Sequence, residues 1–364
     1  SPNIAIIGLT GVGKSSLING IFEIQIAGAG AGRPKTQEYE KYHLELDDQT
    51  ILYLYDSPGY EPGCEQEDFV EKTIDFLKEK NQPGKEEPIH IVWYLISASA
   101  ARLTQADINI INEINNNDIP AIIVLSKCDI AKPEQISQTK KAIEEVRFSQ
   151  VYEIIPVAAT PLILPHGDLI CKPFGMKELV DFTAELLPKT YSDAFIVAQI
   201  ADIKSKRKLA WKYVREASIV SFSVGAAPIP LSSPAGTIAA LGYMYNRIIA
   251  IYGHTNKSLL LAISGITSEG VLILAVNAVT DLFSWSTPGI SILTGGSAAT
   301  FTAVSGMAFT NACERLAISQ ITGTETEIKE KLREIFQEEF KKLLTIRVSM
   351  PADLDKVGRD FINN

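Results

Sequence analysis

Short hydrophobic runs and longer mixed stretches alternate along the first half of the chain. Five apolar runs have the length and composition of buried strands: residues 4–8, 51–56, 89–96, 121–125 and 151–157. Four stretches between them have the apolar spacing of helices: residues 14–21, 67–78, 105–116 and 133–147. This alternation predicts an α/β fold with a mostly parallel sheet. A last helix is predicted at residues 176–187, where Pro188 stops it.

The second half of the chain has a different pattern. Residues 191–216 predict one long helix with many cations, whereas residues 217–245 and 282–313 carry no charge. Thr324 and Glu327 have the spacing of a capping box, in which each side chain binds the other residue's backbone N–H. An apolar stripe at helical spacing follows them: Ile328, Leu332, Ile335, Phe336, Phe340 and Leu343. The second half is therefore predicted to be all-helical.

These patterns predict a division into an α/β domain at residues 1–189, a helical domain at residues 190–348 and a polar tail at residues 349–364. A length of 364 residues accommodates two domains. A hydrophobic content of 46% is enough for each domain to bury a core.

The apolar stretches of the second half raise the question of a membrane span, which needs about 20 mostly apolar residues. Residues 217–245 contain three prolines, residues 282–313 are rich in Ser, Thr and Gly, and residues 258–280 have Glu269 in their middle. None is a convincing span. It is open whether Glu269 and a second lone acid, Asp281, are buried. A soluble helical bundle and a domain that contacts a membrane both remain open.

A cationic helix face favours the membrane alternative. Lys204, Lys208, Lys212 and Arg215 recur at helical spacing, with Lys206, Arg207 and Trp211 nearby. Such a face can dock on anionic lipid, although a solvated face without a partner is at least as common.

Charge and cysteine content narrow the picture further. The formal net charge is −9, so the chain is a poor general binder of nucleic acid. The four cysteines are scattered without a CxxC pair, which fits a reducing compartment. We expect a cytoplasmic protein that is either soluble or peripheral at the cytoplasmic face of a membrane.

The run GLTGVGKS at residues 8–15 follows the first predicted strand and opens the first predicted helix. It fits the P-loop pattern G-x-x-x-x-G-K-[ST], in which backbone N–H groups of a glycine-rich turn surround phosphates. Lys14 is predicted to reach the β- and γ-phosphates, and the Ser15 hydroxyl to bind Mg²⁺. The predicted nucleotide contacts of this region are Gly8, Thr10, Gly11, Val12, Gly13, Lys14, Ser15 and Ser16.

Asp56 and Gly59 form a D-x-x-G motif at the end of the strand predicted at residues 51–56. Asp56 is predicted to hold Mg²⁺, mostly through a water molecule, and the Gly59 N–H to meet the γ-phosphate. The motif is weak alone, but its place after a P-loop and at a strand end strengthens it.

Two later motifs predict guanine as the base. The run SKCD at residues 126–129 matches [NT]-K-x-D, with serine in the first position. Asp129 would accept hydrogen bonds from guanine N1–H and the N2 amine, a donor pair that adenine lacks. The Lys127 stem would cover the base, and Ser126, shorter than asparagine, would form a weaker bridge to the P-loop. The backbone of Ala158 and Ala159 is predicted to lie near guanine O6.

With these motifs in this order, residues 2–187 resemble the translation-factor-related GTPases, and within them the Era-like branch. The resemblance implies a Ras-like doubly wound fold, GTP or GDP with Mg²⁺ as ligands, and two switch segments. Residues 191–320 resemble, far less specifically, a helical domain of unknown function that follows Era-like G domains. A looser resemblance joins the chain to immunity-related GTPases.

The resemblance also suggests catalytic residues beyond Lys14 and Gly59. Thr36 is the candidate switch threonine that closes on Mg²⁺. Arg33 precedes it at the offset of the built-in arginine of heterotrimeric G-protein α subunits, which suggests an arginine finger; an exposed loop arginine is the alternative. Tyr60 stands where many GTPases have a water-orienting glutamine, so slow intrinsic turnover is expected.

Three functions are compatible with these features. The leading hypothesis is a switch that hydrolyses GTP slowly to GDP and phosphate and controls membrane association or self-assembly, with a homodimer or oligomer as one partner state. The alternative is a GTP-binding scaffold without turnover, similar to septins or to immunity-related GTPases. A role in ribosome assembly ranks lowest, because the chain is acidic and has no KH-type module.

Overall fold

The computed structural model describes most of the chain, in two compact units, Ser1–Asp202 and Ile203–Asn364. The described residues are 1–22, 39–45, 51–58, 66–82, 84, 87–100, 102–164, 167–225, 232–253, 295–319 and 324–363. The predictions for Glu269, Asp281 and residues 258–280 lie outside them.

A six-stranded sheet forms the centre of the first unit. Its strands are β1 (Asn3–Ile7), β2 (Glu40–Glu45), β3 (Ile51–Asp56), β4 (Ile91–Ser97), β5 (Ala121–Ser126) and β6 (Val151–Pro156). They lie in the order β2-β3-β1-β4-β5-β6, and β2 alone among them runs antiparallel to its neighbour. All five apolar runs form parallel strands, which confirms the predicted mostly parallel sheet. No strand was predicted at β2, whose residues alternate between half-exposed and exposed.

Helices cover both faces of this sheet, which makes it doubly wound. They are α1 (Lys14–Ile21), α2 (Gln66–Lys80), α3 (Gln105–Asn116), α4 (Pro133–Val146), α5 (Met176–Leu186) and α6 (Lys189–Ala198). Successive strand side chains point to opposite faces. Accordingly Ile4 and Ile6 of β1 join a core with α1, α5 and α6, whereas Ala5 and Ile7 join one with α2, α3 and α4.

The boundary between the units falls after Asp202 rather than at residue 189. The reason is α6, whose Phe195 is fully buried between Phe22 and Trp93 at ring-centroid distances of 6.0 and 6.2 Å. The single helix predicted at residues 191–216 is therefore broken. The buried Gln199 side chain accepts from the Asp202 N–H at 2.8 Å and donates to the Asp202 carbonyl at 2.9 Å, which stabilises the break.

A small hairpin lies between β6 and α5, where no strand was predicted. It consists of β7 (Leu162–Ile163) and β8 (Leu169–Cys171), which pair antiparallel. Its base is joined to residues beside β6, because Ala158 and Phe174 exchange two backbone hydrogen bonds of 3.1 and 3.0 Å.

The second unit is helical in all of its described elements. They are α7 (Ile203–Gly225), α8 (Ser232–Gly253), α9 (Gly295–Ile318), α10 (Glu325–Lys342) and α11 (Asp353–Asn363). Helix α7 packs on α8 and α9, and α10 packs on α9. Small residues allow close approach: a Cβ at Gly306 of α9 would lie 2.6 Å from Met244 Sδ and 2.7 Å from Val214. The capping box of Thr324 and Glu327 forms as predicted.

Residues 349–364, predicted to be a polar tail, contain α11 instead. This helix is polar by composition, but it buries Leu354, Gly358 and Phe361. Phe361 lies against Trp211 of α7 with ring centroids 5.8 Å apart. A short amphipathic stripe is thus enough to dock the segment on the helical unit.

Part of the predicted cationic face on α7 makes contacts inside the helical unit. Lys206 is fully buried and donates to the Ile251 carbonyl at 2.6 Å. Arg207 forms an ion pair with Glu314 at 2.8 Å. Both side chains are therefore engaged inside the unit and do not present charge to a surface. Among the helices in the described part of the chain, none has both the length and the hydropathy of a membrane span.

Candidate nucleotide-binding site

The loop between β1 and α1 has the backbone geometry of a phosphate-binding turn. Gly13 adopts φ = +103°, a left-handed conformation that side chains disfavour, directly before α1 begins. At Gly8 a Cβ would lie 2.8 Å from the Leu95 carbonyl of β4, so glycine lets the loop pass close to the sheet. The N–H groups at the start of α1 then face the open end of the loop.

Lys14 lies beneath this loop and is 8% exposed. Its Nζ donates to the Gly8 carbonyl at 2.8 Å and to the Leu9 carbonyl at 3.4 Å. Burial lowers the pKa of Lys14, and the charge of Asp56 partly offsets that effect. Ser15 and Ser16, both half-buried, follow in the first turn of α1. The lysine is thus held in place before any phosphate binds.

Asp56 ends β3, opposite Ile6 in the parallel pair of β1 and β3. Its Oδ1 is buried and accepts no hydrogen bond from the described residues. Burial raises the pKa of Asp56 to about 6, Lys14 opposes the rise, and Glu40 adds to it. A buried carboxylate oxygen without a donor is costly, and a bound cation would remove that cost. The site therefore fits Mg²⁺, which Ser15 and Asp56 would hold.

Ser57 belongs to the site although it was not among the predicted residues. It is 4% exposed, and its Oγ accepts from the Gly8 N–H at 3.3 Å and lies 3.4 Å from the Gly8 carbonyl. The Gly8 carbonyl thus meets both Ser57 and Lys14. The motif pattern D-x-x-G leaves this position open, so the sequence contains no signal for the contact.

The guanine motif follows β5 in a loop that backbone bonds hold beside β6. The Cys128 N–H donates to the Val157 carbonyl at 3.2 Å, and Lys127 adopts φ = +58°. Asp129 is half-exposed, as a base-binding carboxylate must be. Ser126 is buried and donates to the Ile96 carbonyl at 3.3 Å, so the hydroxyl expected to bridge to the P-loop instead joins β5 to β4.

The backbone bonding of Ala158 decides which of the two predicted residues, Ala158 or Ala159, can donate to guanine O6. The Ala158 N–H donates to the Phe174 carbonyl at 3.1 Å and is not available to a base. The Ala159 N–H is therefore the candidate donor to guanine O6. Arg33, Thr36, Gly59 and Tyr60 lie outside the described residues, and their roles stay predictions.

The fold and this loop define the class of protein: the first unit is a P-loop GTPase domain. A family model described as a 50S ribosome-binding GTPase matches residues 3–127. This match and the relatives below make the first unit an Era-like, translation-factor-related GTPase domain, for which GTP or GDP with Mg²⁺ are the ligands.

Two curated relatives and one solved structure illustrate the similarity. GTPase Era of Clostridium kluyveri is 25% identical over 219 residues, which cover 57% of this chain and 67% of the relative. GTPase Era of Clostridium botulinum (strain Kyoto / Type A2) is 27% identical over 217 residues, which cover 57% and 66%. A variant of Aquifex aeolicus Era bound to GDP·AlF4⁻ superposes with a TM-score of 0.38 and 19% identity over 64% of this chain and 69% of that one. The alignments thus span about two thirds of these relatives.

Proposed function

We propose that the protein is a GTP-dependent switch that binds GTP with Mg²⁺ and hydrolyses it slowly to GDP and phosphate. The observation that carries this proposal is the buried Oδ1 of Asp56, which has no hydrogen-bond donor among the described residues and interacts electrostatically with Lys14. Phosphate oxygens and Mg²⁺ would satisfy the buried charges of Lys14 and Asp56 better than the surrounding protein groups do.

Each residue has a distinct role in the proposal. Lys14 and the N–H groups at the start of α1 bind phosphate oxygens, and Asp129 selects guanine. Ser15, Asp56 and Thr36 hold Mg²⁺, which neutralises phosphate charge when bound. Thr36, Gly59 and Arg33 complete the predicted catalytic set, and Tyr60 in place of glutamine is the reason to expect slow turnover.

Nucleotide selectivity tests the proposal directly. We expect fluorescent GDP to bind at least about 100-fold more tightly than ADP, because a site built for two hydrogen bonds rejects a base without them. Asp129→Asn should shift the preference towards xanthine nucleotides, since the amide can donate to the carbonyl that replaces the guanine amine. Asp118→Asn, an exposed acid at the opposite end of β5, is the control.

A wild-type protein that binds no guanine nucleotide would overturn the proposed function. An Asp129→Asn variant that keeps its preference for guanine would overturn only the assignment of the base-binding residue.

A ribosomal target is a second candidate for what the switch controls. The description of the matching family, a 50S ribosome-binding GTPase, favours it over the membrane role that the sequence suggested. The GTP-bound form would co-sediment with 50S subunits in a sucrose gradient, and the GDP-bound form would not. Protein that stays at the top of the gradient in both states would rule this target out.

Membrane attachment and self-assembly are the other processes that we propose the switch controls. Lys204 and Lys208 on α7 are exposed and support contact with an anionic surface, although Lys206 and Arg207 do not. Flotation of GTP- and GDP-bound protein with anionic vesicles distinguishes this target from the ribosome. If neither the GTP-bound nor the GDP-bound protein floats with the vesicles, the membrane is excluded as a target of the switch.

A further inference from the structure

The hairpin of β7 and β8 carries a cluster of exposed apolar side chains. Five of its large side chains are between 37% and 57% exposed: Ile163, Leu164, Leu169, Ile170 and Phe174. Several large apolar side chains left exposed on one small element are typical of interaction sites on soluble proteins.

The hairpin is also an incomplete sheet. Among the described residues, β8 pairs with β7 alone, and neither belongs to the six-stranded sheet. A two-stranded ribbon is marginally stable in water, and an open edge is a template for another strand. The hairpin is nevertheless held at its base by the backbone bonds between Ala158 and Phe174. An anchored ribbon with an open edge is suited to pairing with a further strand.

We propose that β8 pairs with β8 of a second copy of this chain, antiparallel about a two-fold axis at Ile170. Asp168 and Lys172 lie two residues before and two residues after Ile170. Antiparallel pairing centred there puts Asp168 of each copy opposite Lys172 of the other, and Leu169 opposite Cys171. A parallel pair in register would instead put each charge beside its like, which is destabilising.

The charge pattern selects a second copy over a lipid surface. Residues 161–175 contain one acid and one base besides a histidine, so the hairpin has no cationic excess for anionic lipid. The chain as a whole has a net charge of −9, so two copies repel over most of their surface. This neutral patch pairs with itself without that penalty. Asp168 also has an interaction within its own chain, to which the cross-copy pair would be added.

The available area sets the strength of the dimer. The exposed side chains on and beside β8, which are Leu169, Ile170 and Phe174, present on the order of 250 Å² in each copy, so a two-fold pair would bury about 500 Å² of them, the size of a weak and transient interface. We therefore expect a reversible dimer with a dissociation constant of tens of micromolar.

Disulfide trapping tests whether the two-fold axis of the dimer lies at Ile170. In a full-length Cys171→Ser background, Ile170→Cys should form a disulfide-linked dimer, because directly opposite residues of an antiparallel pair lie about 5 Å apart. Ile163→Cys is the matched control, since Ile163 is 53% exposed on the outer strand β7. In the four-stranded product the two β7 strands would be about 14 Å apart, beyond the reach of a disulfide. Equal cross-linking at both positions would indicate random collision and would overturn the proposal.

Charge exchange tests the pairing itself. Lys172→Asp should raise the dimer dissociation constant about tenfold, as two favourable pairs become repulsive. The double variant Asp168→Lys with Lys172→Asp restores opposite charges and should restore the dimer, measured by sedimentation velocity of the full chain. A wild type that stays monomeric at about 100 μM would overturn the proposal, and its flotation with anionic vesicles would assign the patch to lipid instead. Since none of these readouts needs nucleotide, the result is independent of the GTPase assignment.

Discussion

Lys14 in the first unit and Lys206 in the helical unit are both buried, and both donate to backbone carbonyls. Lys14 reaches the Gly8 carbonyl at 2.8 Å, and Lys206 reaches the Ile251 carbonyl at 2.6 Å. Burial lowers the pKa of each. Their surroundings differ, however. The carboxylate of Asp56 acts on Lys14, whereas desolvation alone accounts for the shift of Lys206.

This difference separates a binding site from a packed core. Around Lys14 the described residues leave a buried carboxylate oxygen of Asp56 without a donor, which costs stability. Lys206 instead lies buried where α7 packs on α8, with its Nζ bonded to the Ile251 carbonyl. The buried carboxylate oxygen beside Lys14 supports the proposal that this lysine binds a ligand, whereas the desolvation of Lys206 is what a lysine packed inside a helical unit experiences.

The largest predicted effect is on nucleotide binding. Lys14→Ala should weaken GTP binding at least about 100-fold, because it removes a charge-assisted bond to phosphate. Titration of fluorescent GTP measures the change. Lys141→Ala, which removes an exposed lysine, is the control and should have no effect. Lys206→Met should also leave the affinity unchanged, and a comparable loss there would break the contrast between the two lysines.

The second prediction concerns the pH dependence of the helical unit. Burial lowers the pKa of Lys206 to about 7 from an ordinary value of 10.5. Between these values the unfolded chain binds more protons than the native one, so the free energy of unfolding rises with pH. The rise attributable to Lys206 should be about 2 kcal/mol between pH 7.5 and 9.

Hydrogen exchange of α7 amides, corrected for intrinsic rates, measures this dependence for the helical unit alone. Lys206→Met removes the titrating group and should flatten the profile. If wild type and Lys206→Met have the same slope, the charge of Lys206 does not determine the pH dependence.

Local patterns predicted the elements whose structure depends on local sequence. The five apolar runs became parallel strands, and α1 and α3 have the predicted bounds. Prediction failed for elements whose structure depends on contacts between residues far apart in the sequence. Strand β2 exists because it pairs with β3, α6 belongs to the first unit because Phe195 reaches Trp93, and α11 is ordered against Trp211. The sequence of each element does not identify its distant partner: even the short amphipathic stripe of α11 leaves Trp211 unspecified.

The third prediction concerns that last contact. A Cβ at Gly358 would lie within 3 Å of the Trp211 indole, so Gly358→Ala should overpack the contact and lower the free energy of unfolding by about 1–3 kcal/mol. Gly242→Ala on α8 is the matched control, because no described atom outside the local backbone of α8 lies within 4 Å of the added Cβ. There the ordinary helix preference should give a gain of up to about 1 kcal/mol. Opposite signs in urea denaturation would support the packing, and two gains would contradict it.

The motifs likewise predicted that Lys14 and Asp56 belong to one site. The two residues lie near each other because the ends of parallel strands meet at one edge of a sheet. It could not predict which backbone groups are already occupied. The bond from the Ala158 N–H to Phe174 and the bond from Ser126 to the Ile96 carbonyl both depend on residues far along the chain.

The smallest predicted effect concerns Ser57, which joins the end of β3 to the P-loop. Ser57→Ala leaves the buried Gly8 N–H without its acceptor and loosens Asp56 relative to Lys14, at a cost of about 1 kcal/mol. We expect the Mg²⁺ concentration for half-maximal GTP hydrolysis to rise about fivefold, which is that cost as a ratio. Ser57→Thr keeps the hydroxyl and should restore the Mg²⁺ dependence. Ser218→Ala removes a buried hydroxyl of α7 that bonds to the Val214 carbonyl, so it controls for a loss of stability alone. An equal shift in Ser218→Ala, or none in Ser57→Ala, would mean that Ser57 does not position the metal-binding carboxylate.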